Sequence, residues 1–203
     1  MIKNIVFDFG QVLVHFEPAY MVAKYVSDAD DKKLLRSVIF DRLYWDRLDD
    51  GTITDEELIA ATKTRLPKRL WGVTEEIYTN WIYNLPEMEG MRELIAHIKN
   101  DLGLPVYLLS NISRSFAERS GEIEILRPFD KCIFSAIYGV VKPSRDIYGI
   151  LCRECGILPE ETLFIDDSQK NIDGAKAFGI SGYLFDGDTA RLCAYIDGIF
   201  KKS

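Results

Sequence analysis

Four short apolar runs stand out along the chain, at residues 2–8, 105–110 (PVYLLS), 162–166 (TLFID) and 182–185 (GYLF). Their length, and their content of β-branched residues or leucine, fit strands buried on both faces of a parallel sheet. Apolar positions recur at helical spacing over 89–101, 113–126, 144–155, 168–178 and 188–200. Strands alternating with helices in this way predict an α/β fold with a doubly wound, Rossmann-like parallel sheet.

Residues 17–85 break the alternation. The stretches PAYMVAKYVSDADDKKLLRSVIFDRLYW and TDEELIAATKTRL carry apolar positions at helical spacing, and the second opens with Thr54 three residues before Glu57, a capping-box pattern. A further helix is expected over 74–85, opened by Thr74. An all-helical insert after the first strand belongs over the carboxyl edge of the sheet, where ligands bind in such folds. The chain is therefore expected to divide into an α/β core of residues 1–16 and 86–203 and a helical cap of residues 17–85.

With 203 residues the chain is long enough for a sizeable core, and its 25 basic against 32 acidic residues leave a net charge of −7 with no basic block. Nucleic acid and anionic membranes are thereby disfavoured as partners. No signal-peptide pattern and no apolar run of membrane-spanning length is present, and four cysteines suit thiols in a reducing cytoplasm. Cys152 and Cys155 form a C-x-x-C pair inside a helical pattern. With no second pair to complete a zinc site, they read as two thiols on one helix turn.

The chemistry lies where apolar runs end. Asp8 interrupts IVFDFGQVLV, Ser110 and Asn111 follow YLL, Lys142 sits in YGVVKPSRD, and Asp166 and Asp167 end LFIDD. Read as the ends of parallel strands, these groups converge on one edge. Three carboxylates gathered there call for a hard divalent cation such as Mg²⁺, while Lys142 and the Ser110 hydroxyl offer what a phosphate dianion needs. Backbone N–H groups at the start of the 113–126 helix would add donors. An aspartate in that setting can attack phosphorus, which makes Asp8 the nucleophile expected of the site.

The segments VFDFGQVL, LLSN, VVKP and LFIDDSQKNIDGAKAFGI resemble the four ordered motifs of the haloacid dehalogenase superfamily of hydrolases, and the 17–85 insert is placed like that family's small helical cap. The likeness covers nearly the whole chain. It is strongest to bacterial sugar phosphatases related to alpha-D-glucose-1-phosphate phosphatase and to the amino-terminal phosphatase domain of epoxide hydrolases. It implies Asp8 as nucleophile, Mg²⁺ on Asp8, Asp166 and the Gly10 carbonyl, and Asp167 as a ligand through water or an orienting group. Ser110, Asn111 and Lys142 would hold the phosphate of a small phosphorylated metabolite.

Gly10 departs from the family pattern. Most phosphatases of the superfamily have a second aspartate there, a proton donor to the leaving alcohol, and a positioned acid–base is typically worth about 10²–10⁴ in rate. The proton route then belongs to the substrate, to water or to another residue. His15, at the hinge into the insert, has a suitable ordinary pKa; otherwise it is a hinge contact. A chain that binds Mg²⁺ and phosphate with little turnover is the alternative, and a 2-haloacid dehalogenase ranks lower, because the paired acids of IDDSQKN are absent from those enzymes.

In the insert, Arg42, Tyr44, Trp45 and Arg47 precede a turn at Gly51, and Trp45 is the aromatic expected to line a substrate pocket. Adjacent residues on a helix point apart, so Tyr44 and Trp45 cannot both face it. Asn171 is expected to cap a helix and to orient Asp167 or Lys142. Trp71 and Trp81 read as packing within the cap, and His97 as a surface or core helix residue rather than a ligand.

Overall fold

A computed structural model describes residues 1–83 and 85–200 of the protein. Five strands, β1 (Asn4–Phe7), β2 (Val106–Ser110), β3 (Lys131–Phe134), β4 (Thr162–Asp166) and β5 (Ser181–Leu184), form one sheet in the order β3-β2-β1-β4-β5. Every pairing is parallel, with Phe7 opposite both Leu108 and Ile165. Ile5 and Phe7 face one layer and Val6 the other, which is why β1 is apolar throughout.

The helices are α1 (Pro18–Ala23), α2 (Ala29–Ile39), α3 (Arg42–Asp49), α4 (Asp55–Thr64) and α5 (Trp71–Asn80) in the insert, then α6 (Met91–Asn100), α7 (Arg114–Arg119), α8 (Ser135–Tyr138), α9 (Arg145–Cys155), α10 (Gln169–Phe178) and α11 (Thr189–Phe200). Met91, Leu94, Ile95 and Ile98 of α6, with Leu192 and Ile196 of α11, cover one face of the sheet. Ile147, Tyr148 and Leu151 of α9, with Ile172 and Ala175 of α10, cover the other. The insert has its own buried cluster, built from Val22, Leu35, Ile39, Leu48, Leu58 and Ile77 around Trp45 and Tyr78.

Caps set the helix boundaries in the insert. Asp28 accepts from the Asp31 N–H and Asp41 from the Leu43 N–H, so the long apolar-periodic stretch breaks into α1, α2 and α3. The Thr54–Glu57 capping box forms in both directions. Asn84, inside the expected 74–85 helix, and residues 201–203 of the expected core lie outside the described residues.

Four expectations are corrected, the first being the 74–85 helix, which runs Trp71–Asn80 with Thr74 inside it, its hydroxyl donating to the Leu70 carbonyl at 2.7 Å. The sheet has a further strand, β3, and Lys142 is not at a strand end but in the loop between α8 and α9. The 113–126 helix shortens to α7 followed by two 3₁₀ turns. Among the described residues no helix is long and apolar enough to cross a membrane, and the cysteines form no disulfide. Burial pushes the Cys152 thiol up to about 11 and the Cys155 thiol up to about 12, the reverse of a reactive pair.

His97 does have charged partners: its Nδ1 lies 2.8 Å from Asp101, four residues on, and its Nε2 2.9 Å from Asp197 of α11. Hydrogen bonds to Asp101 and Asp197 raise its pKa. A raised folded pKa contributes stability that is complete below the unfolded value and is lost as pH rises through the folded one. The stability difference between the wild type and His97→Gln is therefore expected to be largest near pH 6 and to shrink by pH 9. Urea unfolding at both pH values checks this; an equal difference at both would contradict it.

Candidate active site

The sheet reverses direction of growth between β1 and β4, and a doubly wound sheet binds its ligand at such a switch point. Asp8 follows β1 and Asp166 ends β4, so both carboxylates enter that crevice. Lys142 bridges them, its Nζ 2.7 Å from Asp8 Oδ1 and 2.7 Å from Asp166 Oδ2. All three are buried.

Lys142 reaches the crevice because Asn111, just beyond β2, clamps its backbone. The Lys142 N–H donates to Asn111 Oδ1 at 2.8 Å and Asn111 Nδ2 donates to the Lys142 carbonyl at 3.0 Å. The peptide bond from Lys142 to Pro143 is cis, and Gly174 of α10 lets that loop pack closely, since a Cβ there would lie 2.9 Å from Pro143 atoms. Asn171 donates to both oxygens of Asp166 at 3.0 Å, and the Ser168 N–H donates to Asp166 Oδ1 at 2.8 Å. Asn171 thus fixes Asp166 itself, rather than Asp167 or Lys142.

Charge is unbalanced here. Burial raises the Asp8 carboxyl to about 7, with Asp166 adding to the effect and Lys142 opposing it. Burial disfavours the Lys142 ammonium, but Asp8 and Asp166 outweigh it and hold its pKa up. Asp167 is raised by burial and by Asp166. One ammonium faces three carboxylates whose oxygens lie within 4.8 Å of one another. Such a hard-oxygen donor set of excess negative charge fits a magnesium ion. Asp166 is fully enclosed, both oxygens already accepting hydrogen bonds, whereas Asp167 and Gly10 line the open cavity.

That cavity, of about 520 Å³, runs from Asp8, Gly10, Ser110, Asn111 and Lys142 up to the insert. Arg42, Trp45, Leu48 and Asp49 recur at helical spacing, so one face of α3 looks into it. Trp45 lines it while its ring packs among Phe16, Phe40, Tyr78 and Trp81, at centroid distances of 5.1–6.2 Å. Tyr44 and Arg47 lie outside the cavity, as adjacency on a helix required of one aromatic. Trp81 also stacks on Phe116 of α7, at 5.7 Å, joining insert to sheet. Trp71 donates its indole N–H to the Lys63 and Leu66 carbonyls within the insert.

The structure does not bring His15 into the cavity. Its N–H donates to the Pro86 carbonyl at 2.8 Å where the chain leaves and re-enters the sheet, the hinge contact that sequence offered as the other possibility. The N–H groups before α7 are also spoken for in part: Ile112 donates to Ser135 Oγ at 2.9 Å. Asp49, Lys170 and Phe40 line the cavity without having been singled out in the sequence. The only local signal for Asp49 was an acid before the Gly51 turn.

Fold and site together define an α/β enzyme that gathers carboxylates and a lysine at its switch point. The chain belongs to the haloacid dehalogenase-like hydrolases, whose family model matches residues 2–179. It is 30% identical over 196 residues to the D-ribitol-5-phosphate phosphatase of Bacteroides thetaiotaomicron, covering 90% of this chain and 91% of that protein. The phosphorylated carbohydrates phosphatase of Thermotoga maritima is 23% identical over 180 residues, covering 88% and 82%. A family enzyme from Bacteroides thetaiotaomicron, solved with magnesium and inorganic phosphate, superposes with a TM-score of 0.66 at 24% identity, covering 95% and 99%, a likeness of fold.

Proposed function

We propose that this hydrolase is a Mg²⁺-dependent phosphatase of a small phosphorylated sugar or polyol, acting through an aspartyl-phosphate on Asp8. The observation that carries the reading is the Asp8–Lys142–Asp166 chain at the switch point, opening on a cavity with Asp167 and Gly10 at its rim. The sugar or polyol part is supported by the named activities of the two phosphatase relatives.

Asp8 attacks phosphorus while Lys142 offsets the charge of the phosphoryl oxygens and Ser110 donates to them. Asn111 acts by holding the Lys142 backbone, not by gripping phosphate. Asp8, the Gly10 carbonyl and Asp167 would hold Mg²⁺, with Asp166 behind them as the anchor of Lys142. When bound, the ion neutralises the clustered carboxylates and the phosphoryl group. The 17–85 insert serves as a cap that keeps water from the reacting atoms, with Trp45 and Arg42 facing the part of the substrate away from phosphorus.

Phosphate release from an aryl phosphate and from a panel of sugar and polyol phosphates, with Mg²⁺ and with chelator, tests this reading. Metal-dependent release that disappears in Asp8→Asn supports it; equal release from wild type and Asp8→Asn overturns it.

Gly10 favours one competing reading, binding with little turnover. A Cβ at position 10 would meet only the Phe16 Cβ, at 3.7 Å, so Gly10→Asp fits. A phosphatase with its own proton route is expected to change by less than about tenfold in kcat on this substitution. A rise of about 10²-fold or more, the scale of a restored acid–base, would favour the binding module.

A further inference from the structure

The geometry points to Asp49, at the end of α3, as the group that moves the proton Gly10 cannot. The assignment rests on the phosphatase reading and adds to it a residue contributed by the insert.

Asp49 lines the same cavity as Asp8, Gly10 and Lys142. Its backbone is fixed to the sheet domain: the fully buried Ser135, just after β3, donates its hydroxyl to the Asp49 carbonyl at 2.5 Å. Two residues on, Gly51 takes φ 74, and a Cβ there would lie 2.6 Å from the Ala136 carbonyl oxygen. Segment 49–51 is therefore pressed directly on α8, and the docking places a carboxylate over the reacting edge. Asp46 and Arg42 face it from its own helix, Asp8 from the end of β1 and Lys142 from the loop between α8 and α9, while Asp167 and Lys170 line the same cavity. Burial first, then Asp46, raise the Asp49 carboxyl well above the usual carboxylate range, which favours the protonated form a donor needs. No other acid of the insert lines the cavity among the described residues.

The proton balance closes over two steps. An Asp8 oxygen bonds to phosphorus as the bond from phosphorus to the leaving oxygen breaks, and the Asp49 carboxyl gives that oxygen its proton. Water then bonds to phosphorus and passes a proton to the Asp49 carboxylate, while the bond from phosphorus to Asp8 breaks. Inorganic phosphate leaves, Asp8 is again a carboxylate and Asp49 again a carboxylic acid.

The test compares Asp49→Asn with wild type, both loaded with Mg²⁺, on an alkyl phosphate and on a nitrophenyl phosphate followed by rapid mixing. Turnover of the alkyl phosphate is expected to fall by about 10²–10⁴-fold, the worth of a positioned acid–base. The first release of nitrophenolate, which departs as an anion without a proton, is expected to lose at least about tenfold less. Alkyl turnover within about threefold of wild type would overturn the assignment. So would equal losses on both substrates, because a misplaced docking segment would slow both alike. If wild type itself releases no phosphate from either substrate above Asp8→Asn, the phosphatase reading falls and the assignment with it.

Discussion

Lys142→Met is expected to destabilise the protein by about 3–5 kcal/mol in chelator, the cost of removing one partner of a buried ion pair. The Lys142 ammonium is the group that meets both Asp8 and Asp166, each at 2.7 Å. Methionine keeps the stem but leaves two buried carboxylates facing one another. The same change is expected to lower turnover by about 10²–10³-fold or more, the effect of losing one fixed charge or donor at a developing anion. Urea unfolding and phosphate release measure the two losses on one sample. Retained stability would mean that the Lys142 ammonium is not what holds the Asp8 and Asp166 side chains together.

Asp8→Asn is expected to split activity from stability. Turnover should fall by on the order of 10⁴-fold or more, since the proposed nucleophile is gone. Stability should move the other way. Burial and Asp166 hold the Asp8 carboxyl at about 7 in the folded protein, against about 3.9 in an unfolded chain. Between those values the folded state binds a proton that the unfolded state has lost, so wild-type stability falls as pH rises. Asparagine carries no such penalty. In chelator the variant should match or trail the wild type near pH 4 and exceed it near pH 8, by up to about 4 kcal/mol. A deficit that stays constant from pH 4 to pH 8 would contradict the burial of a charged Asp8.

Local pattern revealed much of the fold. β1, β2, β4 and β5 are apolar runs that any reading by period finds, and the carboxylates at their ends were visible as interruptions. β3 was not, because it is an edge strand that starts on the exposed Lys131 and passes straight into the one-turn helix α8. Missing it put Lys142 at a strand end, when in fact Asn111 reaches across from β2 to hold it in a loop. That Asp166 rather than Asp167 is the enclosed acid was equally hidden, since enclosure depends on Asn171 and Lys142 arriving from other elements. Asp49 was the least legible of all. Its place depends on Ser135, 86 residues away, and no helical period or motif spacing carries a contact of that range.

The most direct measurement is to quench the wild type with acid during turnover of an aryl phosphate in Mg²⁺, digest it, and map phosphate along the chain by mass. A phosphate adduct on the peptide that contains Asp8, absent when chelator replaces Mg²⁺ and absent in Asp8→Asn, is the predicted result. Phosphate release in the absence of any adduct on that peptide, or an adduct that persists in Asp8→Asn, would contradict Asp8 as the nucleophile.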